Sequence, residues 1–365
     1  MSIYFNINGR NTPYKLSSFE NEHVFLMEND NGEKIEINTP LKINLSFKDK
    51  EFEVHFLAKN GVKESDIFQV HVKEKRIGWL IPAISFGSND HDFAEDTNFL
   101  SYVYVGMRGA LKKLDDSIYT QDLNIEESIS FSDIFHEFTV LLIISKETLN
   151  SNVQFDIDRA SPSLIKHGYF KLSNINPGEI AFKAESPQNK KLSILQISYF
   201  LSSHKLISEL LNNYFAYEKK AVFKFFFIYQ IIELLIDDVF KNEQKKIIDH
   251  LVSVRDDSGL AKEALEKIRD SIAEKQRIGL LVKNYSNMNG NLSDLKHLCN
   301  EFLIDIGRTE GNEFQEYFYK IRNFIFHQYR DFQSMQNDTA LENIIKEFIE
   351  ILPTMLSNYQ PPTAN

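Results

Sequence analysis

The stretch Tyr317-Phe318-Tyr319-Lys320-Ile321-Arg322-Asn323-Phe324-Ile325-Phe326-His327-Gln328-Tyr329 decides how this chain is read. Phe314, Phe318, Ile321, Ile325 and Tyr329 recur at helical spacing and mark one apolar stripe, so a buried helix is expected here. Arg322, Asn323 and His327 interrupt the apolar pattern. Burying Arg or His costs free energy unless the group is paired or given chemical work. That conflict makes these three residues the leading functional candidates.

The sequence around this segment reads as a helical domain. From Lys190 onward, strand-like alternation gives way to helical period. Leu195, Tyr199, Leu206, Leu210 and Leu211 suggest a helix ending near Tyr217. Further helices are expected at Phe223–Phe240, Glu243–Val254, Leu260–Lys283, Leu292–Asp305, Glu313–Phe332 and Ala340–Leu356. Phe223–Phe240 is apolar nearly all round, which places it centrally. The window 221–240 carries Lys224, Glu233, Asp237 and Asp238, too many charges for a lipid-facing span, so no membrane partner is expected. Asn312 is the expected N-cap of the key helix, with Gln315 at the capping-box position.

Residues 1 to about 190 read mainly as strands. Short β-rich runs at Ser2–Ile7, Val24–Met27, Glu33–Ile37, Leu41–Phe47, Phe52–Leu57, Ile67–Val72 and Ile77–Ile81 are separated by turn signals. Asn31-Gly32 marks a hairpin and Asn60-Gly61 a second turn. Later strands are expected at Leu100–Val105, Phe138–Ile144, Val153–Ile157 and Ile180–Ala184. The expected fold class is therefore α+β in two domains: a mostly antiparallel, sandwich- or barrel-like β domain at 1–188 and an all-α bundle at 189–365.

Composition narrows the function classes. At 365 residues the chain can hold two domains with ordinary cores, and its 42% apolar content argues against disorder. A single cysteine, Cys299, excludes an internal disulfide and suits a reducing cytosol. The N-terminus lacks a basic region followed by an apolar run, so no signal peptide is expected and the location reads as cytoplasmic. A net charge of -11 disfavours non-specific nucleic-acid binding, yet it leaves room for a local basic cleft. In the β-rich half, the acidic loop Asn89–Asp96 reads as a solvated loop without EF-hand spacing, and His55 and His71 as packing residues. Asp156 and Asp158 with Glu179 and Lys183 only loosely resemble a set of nuclease carboxylates.

Arg322 to His327 fits R-N-x-x-x-H. Asn323 and His327 lie four apart and share a helix face, so the amide can orient the imidazole. Arg322 and His327 lie five apart, roughly 140° around a helix. One helix alone would not converge both tightly on one atom, whereas two copies facing across a two-fold axis would line one cleft with two of each residue. Such a cleft suits a phosphodiester. Arg offers a planar fork for phosphate and for charge developing in the transition state. His titrates near neutrality and can move the 2′-hydroxyl proton or protonate the leaving oxygen. With the 2′-hydroxyl as internal nucleophile no metal or other cofactor is needed, and the substrate is RNA. A structural alternative pairs Arg322 with Glu233 or Asp237 and leaves His327 as a satisfied core histidine.

The same six residues resemble the signature of HEPN domains, found in many prokaryotic RNase toxins and anti-phage defence proteins. Gln328-Tyr329 extends the pattern to the R-x-x-x-x-H-x-Y form of a toxin–antitoxin branch. The resemblance covers roughly residues 192–357. It implies a helical bundle, a homodimer through that bundle with a composite site, and metal-independent endoribonuclease activity. Arg322 and His327 would be the catalytic pair, supported by Asn323. Tyr329 would match the tyrosine that a partner enzyme modifies in the toxin–antitoxin branch, and Glu233 a polar residue kept near the site. A β domain ahead of a HEPN domain looks like the layout of some abortive-infection proteins. In that layout a phage-derived trigger or an antitoxin is the expected regulator, and residues 1 to about 190 sense the trigger, restrain the helical domain or recognise RNA. A HEPN dimer that binds RNA or protein without cutting is the alternative.

Overall fold

The computed structural model describes residues 3–7, 10–45, 51–113, 128–149, 154–172, 176–288, 290, 292–328 and 335–360. The chain divides into two compact units, Met1–Leu195 and Gln196–Asn365. The first is mainly β and the second all helical, so the α+β two-domain architecture expected from sequence is present. The division falls later than residue 188 because strand Lys191–Ser193 pairs into a sheet of the first unit.

The first unit contains two mainly antiparallel sheets. Strands β1 (Ile3–Ile7), β2 (Arg10–Glu20), β3 (Val24–Asn29), β4 (Lys34–Asn38), β5 (Phe52–Ala58), β6 (Phe68–Val72), β7 (Lys75–Pro82), β8 (Ser128–Ser130), β9 (Thr139–Ser145), β10 (Phe170–Lys171) and β11 (Lys191–Ser193) build them. One has the order β1-β2-β3-β4-β8 and the other β10-β5-β9-β7-β6-β11. Only the edge pairs β4–β8 and β6–β11 run parallel among the described strands. The Asn31-Gly32 hairpin forms as expected, and the Asn29 side chain accepts the Asn31 and Glu33 N–H groups within it. Strand β9 is buried along its whole length, which explains its unbroken apolar run.

Two helices of this unit depart from the strand expectation. Leu100–Val105 lies inside α1 (Thr97–Lys113), and every residue from Phe99 to Met107 is buried. A helix buried on all sides loses its amphipathic period, and its β-branched and aromatic residues then imitate a buried strand. Val153 lies outside the described residues, and Ile157 opens α2 (Ile157–Lys166) instead of closing a strand. Asp156 is the N-cap of α2, accepting from the Asp158 and Arg159 N–H groups, so its carboxylate serves the backbone. Ile180–Ala184 forms no strand. Leu41–Leu45 is irregular, and the rest of that expected strand lies outside the described residues.

The second unit begins with short helices α3 (Tyr199–Ser202), α4 (Lys205–Glu209) and α5 (Phe215–Tyr217). Its axis is α6 (Ala221–Ser253), which fuses the two helices expected at 223–240 and 243–254. Then follow α7 (Ser258–Ile272), α8 (Glu274–Leu280), α9 (Ser293–Asp305), α10 (Phe314–His327) and α11 (Met335–Asn358). Phe225, Ile228, Tyr229, Ile232, Leu235, Ile236 and Val239 of α6 are buried, as its apolar pattern requires. Lys224 is buried too and pairs with Glu342 of α11, which meets the need for a counter-charge inside the bundle. No described helix is long and apolar enough to cross a membrane.

Candidate functional site

Helix α10 carries the motif. Phe314, Phe318, Ile321 and Ile325 of its stripe are buried, whereas Tyr329 lies outside the described residues. Phe318 packs against Phe225, Tyr229, Phe314 and Phe348, with ring centroids 5.0–6.1 Å apart. Phe324 meets Phe302 of α9 at 6.1 Å. The stripe thus locks one face of α10 into the core. The motif residues lie off that face: Arg322 and Asn323 are half-buried and His327 is exposed at the last turn.

The segment between α9 and α10 sets the position of this helix. Gly307, at φ +70°, turns the chain out of α9 with Gly307 N–H on the Ile304 carbonyl and Arg308 N–H on the Leu303 carbonyl. This is the Schellman pattern, which favours glycine at its left-handed residue. Gly311 then passes against the start of α10. A Cβ there would sit 2.5 Å from the Tyr317 nitrogen. Asn300 of α9 grips the same residue from both sides, accepting the Gly311 N–H at 2.8 Å and donating to its carbonyl at 3.0 Å. The N-cap is Glu313, not Asn312. Glu316, not Gln315, supplies the reaching carboxylate, accepting the Asn312 N–H at 2.9 Å and Lys275 at 3.0 Å. The Asn312 N–H and then Lys275 hold the Glu316 carboxyl down to about 2.

Arg322 is fixed from several directions. Its Nη1 donates to Asn323 Oδ1 at 3.0 Å. Its guanidinium carbon lies 4.9 Å from the Phe326 ring centroid and 5.1 Å from that of Tyr229. Its Nε stands 3.6 Å from Glu274 Oε1, an ion pair longer than a hydrogen bond. The acid beside Arg322 is therefore Glu274 at the start of α8. Neither acid expected for this pairing takes the place: Asp237 pairs with Arg277, and Glu233 accepts from Gln230. Side-chain exposures of 18% for Arg322 and 21% for Glu274 leave the pair partly open to solvent.

Arg322, Asn323 and His327 line one pocket of about 370 Å³ together with Arg308, Tyr319, Lys320, Phe324 and Gln328. The structure thus gathers all three motif residues, although Arg322 and His327 are angularly separated on α10. Arg308 and Lys320 were not singled out from sequence. Arg308 is delivered by the Gly307 turn and donates to Gln328. Lys320 donates to the Thr309 and Glu310 carbonyls and to the Thr309 hydroxyl. The findable signals were Gly307-Arg308 after a helix and a lysine two residues before Arg322. Among the described residues the lining holds three cations and one histidine and no carboxylate, although the chain as a whole carries -11. Such a concavity attracts an anion of phosphate type. Glu233 does not line it.

The other sequence candidates have structural roles. Asp96 of the acidic loop accepts the Phe99 N–H in the first turn of α1, and His91 Nδ1 accepts the Phe93 N–H. Phe93 packs on Trp79 at 4.9 Å. His71 sits 3.4 Å from the Glu74 carbonyl and from Gln69. Among the described residues no three His, Cys, Asp or Glu side chains are grouped to hold a metal ion. Burial pushes the Cys299 thiol well above its ordinary range, which makes it a packing residue. No known family model matches this chain, and neither a curated protein nor a solved structure matches it.

Proposed function

We propose that the pocket at the end of α10 binds an RNA phosphodiester and cleaves it, as a metal-independent endoribonuclease. The observation that carries this reading is the convergence of Arg322, Asn323 and His327, with Arg308 and Lys320, on one carboxylate-free concavity. Arg322 is the electrostatic group. Its guanidinium is held by Asn323 and two aromatic rings, so little reorganisation is needed as charge builds on the phosphoryl oxygens. His327, exposed at the pocket, is the proton-transfer group. The 2′-oxygen attacks phosphorus, the bond to the 5′-oxygen breaks, and the proton lost by the 2′-hydroxyl is balanced by one gained by the leaving oxygen. The products are a 2′,3′-cyclic phosphate and a 5′-hydroxyl. A second copy related by a two-fold axis would supply a second Arg322–His327 set, one imidazole acting as base and the other as acid.

The biological setting that accompanies this reading is HEPN-type defence against phage or toxin–antitoxin control, with the first unit as sensor, restraint or RNA reader. A second reading has a specific observation in its favour. The Glu274 ion pair gives Arg322 structural employment, which suits a HEPN dimer that binds RNA or protein without cutting. RNA cleavage in the presence of EDTA separates the two, comparing wild type with Arg322→Ala and His327→Ala. The enzyme reading expects cleavage by wild type alone. Equal activity in all three proteins overturns this site, and loss of wild-type activity on adding EDTA overturns the metal-free mechanism.

A further inference from the structure

Beside the pocket the helical unit exposes aromatic rings that its core does not use. Phe223 and Phe226 of α6 are 44% and 37% exposed, and Tyr214 is 55% exposed. The inward residues of α6, such as Phe225 against Phe318, already supply its packing face. Exposed phenylalanines grouped in this way mark an interaction surface. The rings connect to the motif. Arg322 lies over Phe326, Phe326 meets Phe226 at 5.6 Å, and Phe227 bridges Phe226 at 6.3 Å and Tyr214 at 6.0 Å. Lys220 stands 5.8 Å from the Phe223 ring centroid, so the outer edge of the surface also carries positive charge.

We propose that Phe226, Phe223 and Tyr214 form a stacking platform for unpaired nucleobases of a single-stranded RNA whose phosphate occupies the Arg322 pocket. The proposal rests on the ribonuclease reading and adds the surface of this chain on which the unpaired bases of the strand would lie. Charge complementarity argues for this occupant. A ring surface with a lysine at its outer edge, joined through Phe326 to Arg322 of a pocket lined by three cations, matches a polyanion whose bases have open π-faces. In a duplex the bases are already stacked on one another and cannot use the rings.

The test uses full-length protein and two probes: a fluorescein-labelled mixed-sequence RNA strand with 2′-O-methyl sugars, which cannot be cut through the 2′-oxygen, and the same strand annealed to its complement. The variants are Phe226→Ala, the triple change Tyr214→Ala/Phe223→Ala/Phe226→Ala, and Phe226→Trp. The triple variant is expected to weaken single-strand binding about 10- to 100-fold. Phe226→Trp should retain affinity, and duplex binding should be the same in every variant. On cleavable RNA the triple variant should raise KM and keep kcat, whereas Arg322→Ala should abolish kcat. If wild type cuts RNA and the triple variant binds and cuts equally well, the platform is overturned and the ribonuclease reading stands. If wild type neither binds nor cuts RNA, the ribonuclease reading itself falls. If light scattering shows the triple variant losing a subunit in step with its loss of binding, the rings hold a second protein copy and the platform is overturned.

Discussion

Replacing Asn300 tests how the pocket is held open. Its amide makes two hydrogen bonds to the peptide of Gly311, at 2.8 and 3.0 Å, and Gly311 is buried. Each such bond contributes about 1 kcal/mol net, and leaving a buried peptide group unpaired costs about 1–3 kcal/mol. Asn300→Ala leaves both the N–H and the carbonyl unmatched, so it should destabilise the helical unit by about 2–4 kcal/mol. Asn300→Asp keeps an acceptor for the N–H and loses the donor to the carbonyl, so it should cost about half as much. Because the glycine abuts the Tyr317 backbone, freeing it also frees the start of α10, and RNA cleavage should fall with stability. Equilibrium urea unfolding followed by far-ultraviolet circular dichroism gives the midpoints at constant slope. Unfolding free energies for both variants within about 0.3 kcal/mol of wild type would refute the clamp.

Removing Glu342 should destabilise the helical unit by about 1–3 kcal/mol, because the buried Lys224 ammonium loses a charged hydrogen-bond partner, while Lys224→Met/Glu342→Leu should recover most of the loss; thermal unfolding of the two variants checks both. Acid should weaken the first unit. Burial and then the charge of Lys113 push the His55 imidazole down to about 4 from 6.5, and burial does the same to His167. The unfolded chain takes up these protons first, so the stability is full above pH 6.5 and is lost as pH falls toward 4, by at most about 3 kcal/mol for His55. His55→Gln should flatten that slope in urea titrations run at several pH values, and an unchanged slope would contradict the assignment.

Much of the second unit was legible because α10 has one wet face. Its apolar stripe named the buried residues, and the polar misfits named the pocket lining. Helix α1 was not legible for the opposite reason, since residues 99–107 are all buried and leave no period to read. The partner of Arg322 was also out of reach. Glu233 and Asp237 are acids that the apolar helix itself carries, yet the acid that meets Arg322 is Glu274, brought by the start of α8. The helix starts one residue later than the pattern indicates and without a capping box, since Glu313 makes no side-chain cap bond and Glu316 reaches back to the Asn312 N–H beside the Asn300–Gly311 clamp. Arg308 and Lys320 depend on the turn geometry at Gly307 and on chain folding between α9 and α10, neither of which a local pattern encodes.

The chemistry at the cut ends tests the central claim most directly. Wild-type protein is incubated with RNA in EDTA, and the products are weighed by mass spectrometry. A 2′,3′-cyclic phosphate paired with a 5′-hydroxyl is expected, absent with Arg322→Ala or His327→Ala and blocked by a single 2′-deoxy substitution at the cut site. Products ending in 3′-hydroxyl and 5′-phosphate, or cleavage that persists in both variants, would contradict the assignment of the α10 pocket.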